Sequence, residues 1–325
     1  MRTDMIRHDV ETTYEKVKSL AGWSVDKNVV LTIASYYLTA EREFDAAAFN
    51  RAMETLKSRT GWFSPIRGQL MPVIAAFLAH SDRKIDEEVD RLFEKQKVLR
   101  GEGFRNTIHS FLAAFLMTDN PSEYTDEARK AKMLFDAMKK QHYFLTSDDD
   151  YAYAVLLSKN GENPERHAAN MRKYYDAFRE KRYRSGNELQ WLSQIMTYID
   201  VEYNEQYVER ADEIFKQLKR ETKATQVHYP MVGFLAIFQV DNEKIDDIVQ
   251  LTKQLEHSKP FKWNREMALS VAIGYVLYHL TDDSTGQVSV SLATSVEMIL
   301  QAQQAVMAAT MAAFVASSTT SSTNN

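Results

Sequence analysis

The chain is 325 residues long, with 44% apolar and 26% charged residues, the balance of a globular protein with a substantial core. It contains no cysteine, which excludes disulfides, thiolate metal sites and thiol nucleophiles. Its 10 glycines and 6 prolines are too few for a strand-rich fold with many tight turns, and a formal net charge of −5 disfavours dedicated nucleic-acid binding.

The first predicted element is a charged helix. Residues 1–16 (MRTDMIRHDVETTYEK) lack the long apolar core of a signal peptide, so we expect a cytoplasmic protein. Seven charged segments of this kind, which we call A helices, follow one another at intervals of about 40 residues. Their anchor residues are Tyr14, Met53, Phe93, Phe135, Tyr175, Phe215 and Thr252. Six of these anchors have an apolar residue three positions later, whereas Phe93 has Gln96.

The sixth A helix shows the helical spacing clearly. Ala211, Ile214, Phe215 and Leu218 form one apolar stripe, with charged residues on the opposite face. Segments that are apolar almost all round lie between the A helices, and we call these B helices. They cover residues 29–40, 69–80, 108–117, 150–158, 189–199, 231–240 and 268–280. Because alanine and leucine dominate them over β-branched residues, we expect helix and not buried strand.

The alternation of A and B helices predicts an all-α fold. A B helix must be buried on several sides, and no single A–B hairpin can bury it alone. We therefore expect about seven antiparallel hairpins to stack as an α–α superhelix (solenoid), either open or closing toward a toroid. This helical-repeat domain covers residues 1–283.

Several residues mark the predicted helix ends. Asn163 and Pro164 are typical of an N-cap followed by the first helical residue. Gly101 is expected to stop the third A helix. The dipeptides Ser64–Pro65 and Tyr229–Pro230 are expected to mark entries to B helices.

The two kinds of turn differ in composition. B-to-A turns are acidic, whereas A-to-B turns are basic and carry aromatic residues at Trp23, Trp62, Phe104, Tyr183, Tyr229 and Trp263. Helix capping explains the charges, and plugging of the hairpin ends explains the aromatics. The alternative is a rim that binds an anionic ligand or an acidic partner segment. Its candidate binding residues are Trp62, Arg67, Arg105, Arg182, Arg184 and Trp263.

No motif identifies a reaction, a metal site or a cofactor. The eight histidines show no metal-ligand spacing, and neither a P-loop, a dinucleotide fingerprint nor a GxSxG motif occurs. In GEGFRN (101–106), Arg105 would be the only support for phosphate binding. The acidic run SDDDY (147–151) is interpreted as a helix cap, with calcium binding as the alternative. We predict no cofactor and assign no catalytic residue.

The C-terminal region has a different composition. Residues 284–316 form a segment rich in Ala, Met and Gln, and residues 317–325 form a Ser/Thr/Asn tail expected to be disordered. The apolar part is too short to span a bilayer. Three roles stay open: a helix that caps the last hairpin, self-association or partner binding through 290–316, and a flexible or membrane-touching tail.

Three stretches carry a resemblance to a known family: LRGEGFRN (99–106), FLAAFL (111–116) and QAQQAVMAATMAA (301–313). The chain resembles a family of bacterial proteins, mainly from Firmicutes, described as a domain of unknown function. The resemblance implies a helical, cysteine-poor protein and transfers no catalytic residue. The W-x-x-L-G-x-x-Y pattern of tetratricopeptide repeats does not occur in this chain.

We expect a non-catalytic cytoplasmic scaffold that binds a protein or peptide partner, because solenoids present long concave surfaces. The alternative is an enzyme or small-molecule-binding protein with a pocket inside the curved array. An open groove would favour the scaffold. A deep pocket holding carboxylates or histidines with shifted pKa values would favour the enzyme.

Overall fold

The computed structural model describes residues 3–22, 25–39, 43–68, 70–79, 83–161, 163–262 and 264–283. Within these ranges the regular structure is helical throughout, with fourteen α-helices and three single-turn 3-10 helices. The prediction of an all-α protein is therefore confirmed.

Every predicted A and B segment forms a helix. The A helices are α1 (Thr3–Ala21), α3 (Ala46–Arg59), α5 (Ile85–Gly101), α7 (Tyr124–Gln141), α9 (Pro164–Glu180), α11 (Glu205–Glu221) and α13 (Asn242–Leu255). The B helices are α2 (Lys27–Thr39), α4 (Met71–Ala79), α6 (Ile108–Phe115), α8 (Tyr151–Leu157), α10 (Asn187–Ile195), α12 (Tyr229–Ile237) and α14 (Arg265–Asp283). The 3-10 helices Pro121–Glu123, Asp148–Asp150 and Gln226–His228 lead into α7, α8 and α12.

Burial follows the two sequence patterns. In α11 the apolar stripe that includes Ile214, Phe215 and Leu218 is buried, whereas Glu213 and Lys216 on the opposite face are exposed. In α12 all nine residues from Tyr229 to Ile237 are buried. A helix with one apolar stripe needs one covering surface, and a helix that is apolar all round needs several. The core therefore concentrates around the B helices.

The polar residue Gln96, at a position that is apolar in the other six A helices, has a structural reason. Gln96 is buried, and its amide nitrogen donates to Ser110 Oγ and Asn106 Oδ1, both at 3.0 Å. The turn before α6 and the first turn of α6 present these acceptors at this point, so the buried amide nitrogen of Gln96 is satisfied. The neighbouring Phe93 packs edge-on against Phe111, with 5.4 Å between ring centroids.

Three of the predicted helix ends are confirmed and one is wrong. Asn163 caps α9 by accepting a hydrogen bond from Arg166 N at 2.9 Å, and Tyr229–Pro230 opens α12. The helix α5 ends at Gly101, as predicted, and the left-handed residue of the turn that follows is Gly103, with φ of 98°. The entry predicted at Ser64–Pro65 is wrong, because a loop separates it from α4.

The described residues form two compact units, with the boundary inside α5. The first unit contains residues 3–91 and Ser258–Pro260, and the second contains Leu92–His257 and residues 261–283. In the first unit, α1 packs on α2, α3 packs on α4, α1 contacts α3 and α2 contacts α4.

The second unit repeats this pattern of contacts. Its A–B contacts are α7 with α8, α9 with α10, α11 with α12 and α13 with α14. Its A–A contacts are α7 with α9, α9 with α11 and α11 with α13. Its B–B contacts are α6 with α8, α8 with α10, α10 with α12 and α12 with α14. Neighbouring helices therefore pack pairwise in each unit.

The predicted helical domain 1–283 thus comprises two compact units. The segments 284–316 and 317–325, and the roles predicted for them, lie outside the described residues. Among the helices that are described, none is both long and apolar enough to cross a lipid bilayer.

Candidate functional site

Three of the turn aromatics close the ends of the hairpin core. Phe104, Tyr183 and Tyr229 are buried, and the ring centroid of Tyr183 lies 4.7 Å from that of Tyr229. The ring of Phe104 lies 4.7 Å from that of Tyr151 in the same way. The interpretation as plugs is therefore confirmed for these three residues. Trp23 and Trp263 lie outside the described residues.

Arg67 stabilises its own turn. Its Nε donates to Thr60 Oγ1 at 3.1 Å, and its Nη2 donates to the carbonyl oxygens of Lys57 and Thr60 at 2.5 and 2.9 Å. The carbonyls at the end of a helix lack intrahelical partners, and a guanidinium is a suitable donor for them. The contacts of this candidate residue are those of a cap on α3.

The other candidate arginines are exposed on the second unit. Arg105 places Nη1 3.4 Å from Asp148 Oδ1, across two consecutive A-to-B turns. Arg182 and Arg184 make no ion pair with any described residue. Arg182 also adopts a left-handed backbone conformation, with φ of 66°, which is rare for a residue other than glycine.

Each unit presents one exposed aromatic pair at an A-to-B turn. In the first unit, Trp62 is 80% exposed and Phe63 is 95% exposed. In the second unit, Tyr143 is 68% exposed and Phe144 is 95% exposed, with their rings in edge-to-face contact at 5.4 Å. Of these four, the sequence interpretation selected only Trp62. The stretch QHYF between a helix end and an acidic cap was the available signal for Tyr143 and Phe144.

Two lysines at the end of α7 precede the aromatic pair of the second unit. The Nζ of Lys139 lies 5.7 Å from the ring centroid of Tyr143, within the range of a cation–π interaction. Lys140 is exposed at the same helix end and makes an ion pair of 3.5 Å with Glu165. This turn therefore combines aromatic surface with positive charge.

The acidic segment 147–151 forms the next part of the same turn. Asp150 Oδ2 accepts a hydrogen bond from Ser147 N at 2.9 Å, so the predicted capping role is confirmed. Asp148 Oδ1 accepts from Tyr151 OH at 2.9 Å, and Asp149 Oδ2 accepts from Asn187 Nδ2 at 3.1 Å. Within the described parts of the chain, no cluster of three or more histidines and carboxylates is arranged to hold a metal ion.

Asp150 is the centre of a buried polar cluster. Its Oδ1 accepts hydrogen bonds from Gln194 Nε2 at 2.8 Å and Gln190 Nε2 at 3.2 Å. Burial raises the pKa of the Asp150 carboxyl to about 7, although these donors oppose the shift. The amide oxygens of Gln190 and Gln194 are buried and have no hydrogen-bond partner among the described residues.

The buried histidines have structural partners. His228 accepts from Thr225 N through Nδ1 at 3.0 Å, which leaves Nε2 to donate to the carbonyl oxygen of Glu266 at 3.0 Å. Burial lowers the pKa of His228, so its ring is neutral. His167 contacts Thr197 Oγ1 at 2.8 Å, and burial lowers its pKa to about 4. Both arrangements agree with the structural roles expected for single histidines.

Two cavities lie at B-to-A turns of the second unit. One, of about 320 Å³, is lined by Thr118, Glu123, Asp126, Glu127, Lys130, Ser158 and Lys159. A hydrogen bond from Lys130 lowers the pKa of Asp126, so this carboxylate stays ionised. The other, of about 440 Å³, is lined by Gln206, Tyr207, Arg210, Ala236, Gln239, Val240, Asp241 and Asn242. Asp150, His167 and His228 line neither cavity.

Consecutive A-to-B turns of the second unit are linked by polar contacts. The links are Arg105 to Asp148, Asn187 to Asp149, Arg184 N to Tyr229 OH, and His228 to the Glu266 carbonyl. These links place the turns after α5, α7, α9 and α11 next to one another in chain order. We call this surface the turn edge of the second unit.

Together, the helices and the turn edge define an all-α protein of paired neighbouring helices. The chain belongs to the family described as "Protein of unknown function (DUF4003)", whose model matches residues 13–305. It is similar to "Uncharacterized protein YeaA" of Bacillus subtilis (strain 168), with 25% identity over 334 residues that cover 99% of each chain. No solved structure matches it. The resemblance based on residues 99–106, 111–116 and 301–313 is thereby confirmed.

Proposed function

We propose that this protein is a cytoplasmic helical-repeat scaffold that binds a protein partner along the turn edge of its second unit. The proposal has two parts, a repeated hairpin architecture and an exposed binding surface. Repeat proteins suit this role because each hairpin presents its turns at the same edge as its neighbours.

Support for the repeat comes from the starts of four B helices, either in the first turn or in the 3-10 helix that precedes it. Ser110, Asp150, Gln190 and His228 recur at intervals of about 40 residues, and all four are buried polar residues. Each bonds to a neighbouring helix or to its own turn, for example Gln190 to Asp150 at 3.2 Å. Equivalent polar positions at one interval are typical of duplicated hairpins.

The observation that carries the binding proposal is the exposure of Tyr143 and Phe144. A side chain such as Phe144, 95% exposed at a turn, contributes nothing to the core of its own chain. Aromatic residues are enriched at the centres of protein interfaces, and exposed apolar patches mark such sites. The nearby Lys139 and Lys140 indicate a partner surface that carries negative charge.

Site-specific photo-crosslinking tests this function. A benzoylphenylalanine at position 144 of the full-length chain should give a discrete polypeptide adduct in cells of the source organism. The matched control is position 199, because Ile199 is also an exposed apolar residue but lies at a B-to-A turn. Lys139→Glu with Lys140→Glu should remove the adduct at position 144 while the protein stays folded, since both lysines are exposed and the reversal costs only surface charge interactions.

Equal crosslinking at positions 144 and 199 would show a non-specific encounter and contradict the proposal. The same holds if no adduct forms at position 144 in folded protein. The enzyme or small-molecule alternative stays a prediction. Of the described carboxyl and imidazole groups whose pKa is shifted, only Asp126 lines either of these two cavities, and its shift comes from an exposed ion pair with Lys130.

A further inference from the structure

Two A-to-B turns of the second unit share one backbone design. Each has a left-handed residue, Gly103 with φ of 98° and Arg182 with φ of 66°. In each, the backbone N–H of the following aromatic residue donates a hydrogen bond to a carbonyl of the preceding helix. Phe104 N donates to Leu99 O at 3.1 Å, and Tyr183 N donates to Phe178 O at 3.0 Å. The two turns are therefore structurally equivalent, about 80 residues apart.

The next residue in each turn is an arginine with an equivalent main-chain contact. Arg105 N donates to Tyr151 OH at 3.2 Å, and Arg184 N donates to Tyr229 OH at 3.4 Å. Each tyrosine is the first residue of a B helix that follows a 3-10 turn. The backbones at Arg105 and Arg184 are thus held in the same way.

The acid that faces Arg105 has no counterpart at Arg184. Asp148, three residues before Tyr151, places its Oδ1 3.4 Å from Arg105 Nη1. The residue three positions before the equivalent tyrosine is Gln226, which carries no charge. Arg184 consequently makes no ion pair equivalent to Arg105–Asp148. Burial and the carboxylate of Glu188, which lies at this turn, raise the pKa of the Tyr229 hydroxyl.

Several charged side chains near Arg184 form no ion pair within the described part of the chain. Lys181 is paired with Glu209 at 2.7 Å, but the exposed Arg182, Arg184 and Lys223 make no ion pair with any described residue. Glu188, on the first turn of α10, makes no ion pair with either arginine. Glycine fits the left-handed position best, as at Gly103, so an arginine there has a conformational cost.

We propose that the Arg182–Arg184 turn is a receptor for a carboxylate of an acidic protein segment. The incoming carboxylate would take the position relative to Arg184 that Asp148 takes relative to Arg105. This inference rests on the proposed function and specifies the chemistry of the partner. Arginine binds carboxylates through its planar array of donors, and a partner acid here completes the contact that the equivalent turn makes internally.

The test uses the full-length chain and a fluorescent peptide with the sequence of residues 145–152 (LTSDDDYA), which contains the acid that faces Arg105. Binding is measured by fluorescence anisotropy at low ionic strength. Arg184→Gln should weaken binding about fivefold, the effect expected for one exposed ion pair. Gln226→Asp should weaken it similarly by supplying an internal acid, whereas the matched control Arg105→Gln should leave it unchanged.

A second variant keeps the test independent of folding defects. Arg182→Gly places the preferred residue at the left-handed position, so it should weaken binding while the melting temperature is kept or raised. A peptide with asparagine in place of the three aspartates should not bind. Asp148→Asn should raise the number of peptide molecules bound per protein chain, because Arg105 then no longer has an internal carboxylate and can bind a second peptide.

Three results of the binding assay would overturn the inference: no binding of the acidic peptide, equal loss in Arg105→Gln and Arg184→Gln, or tighter binding of a single-stranded oligonucleotide of matched charge. The last result would point to phosphate as the ligand. An adduct at position 144 whose yield is unchanged in Arg184→Gln and Gln226→Asp, at partner concentrations that do not saturate binding, would leave the proposed function standing and refute only this receptor. If no adduct forms at position 144 in the chain that carries the crosslinker and no other substitution, the proposed function itself is refuted.

Discussion

At the scale of single residues, the Asp150 carboxyl links pH to stability. Burial raises its pKa in the folded chain to about 7 from an ordinary value of 3.8. Between these two values the folded chain binds a proton that the unfolded chain has released. The free energy of unfolding therefore falls as pH rises through this window, by up to about 4 kcal/mol, and levels off above it.

Asp150→Asn should flatten this pH dependence. The asparagine oxygen can accept from Ser147 N, and its amide nitrogen can donate to the unpartnered oxygens of Gln190 and Gln194. We expect the variant to gain stability relative to the wild type as pH rises from about 5 to about 8, measured by denaturant unfolding. Parallel curves for wild type and Asp150→Asn would contradict the argument.

At the scale of helices, Gly233 permits the close approach of α12 to α10. A Cβ atom at this position would lie 2.8 Å from Leu192 Cδ1 and 3.1 Å from Ile195 Cγ2. Both neighbours are buried, so neither side chain can move aside without disturbing the core. The spacing between these two B helices therefore depends on the absence of a side chain.

Gly233→Ala should destabilise the second unit by about 1–3 kcal/mol through overpacking, despite the better helix propensity of alanine. The matched control is Gly101→Ala, because Gly101 is also helical and a Cβ there meets no atom within 4 Å. That control should be neutral or slightly stabilising. Equal melting temperatures for the two variants would contradict the close approach.

At the scale of the whole molecule, packing is concentrated inside the two compact units. We expect two cooperative unfolding transitions. Leu56 in α3 and Leu218 in α11 are matched probes, since both are fully buried and occupy the same position of an A helix. Leu56→Ala should lower one transition and Leu218→Ala the other, each by about 2–5 kcal/mol. A single transition shifted by both substitutions would show that the chain unfolds as one unit.

Much of the fold could be predicted because it depends on local patterns. The apolar stripe of α11 and the uniformly apolar α12 predict burial without knowledge of their neighbours. The surface proposed to bind a partner was predicted less well. Phe104 and Tyr183 belong to the same kind of turn as Tyr143, yet only the last is exposed. Whether an aromatic residue at a turn plugs the core depends on the next hairpin, which supplies Tyr151 and Tyr229 as covering rings.

The sequence by itself determined the helical class, the alternation of A and B helices and the interval of about 40 residues, because hydrophobic periodicity is a property of each segment alone. Only the tertiary structure decided which polar groups meet. It brought Asp150 between two glutamines, held Arg67 on its own helix end, and gave Arg105 an ion pair that Arg184 lacks. These outcomes depend on distances between residues far apart in the chain, and a spacing rule within one helix contains no information about them.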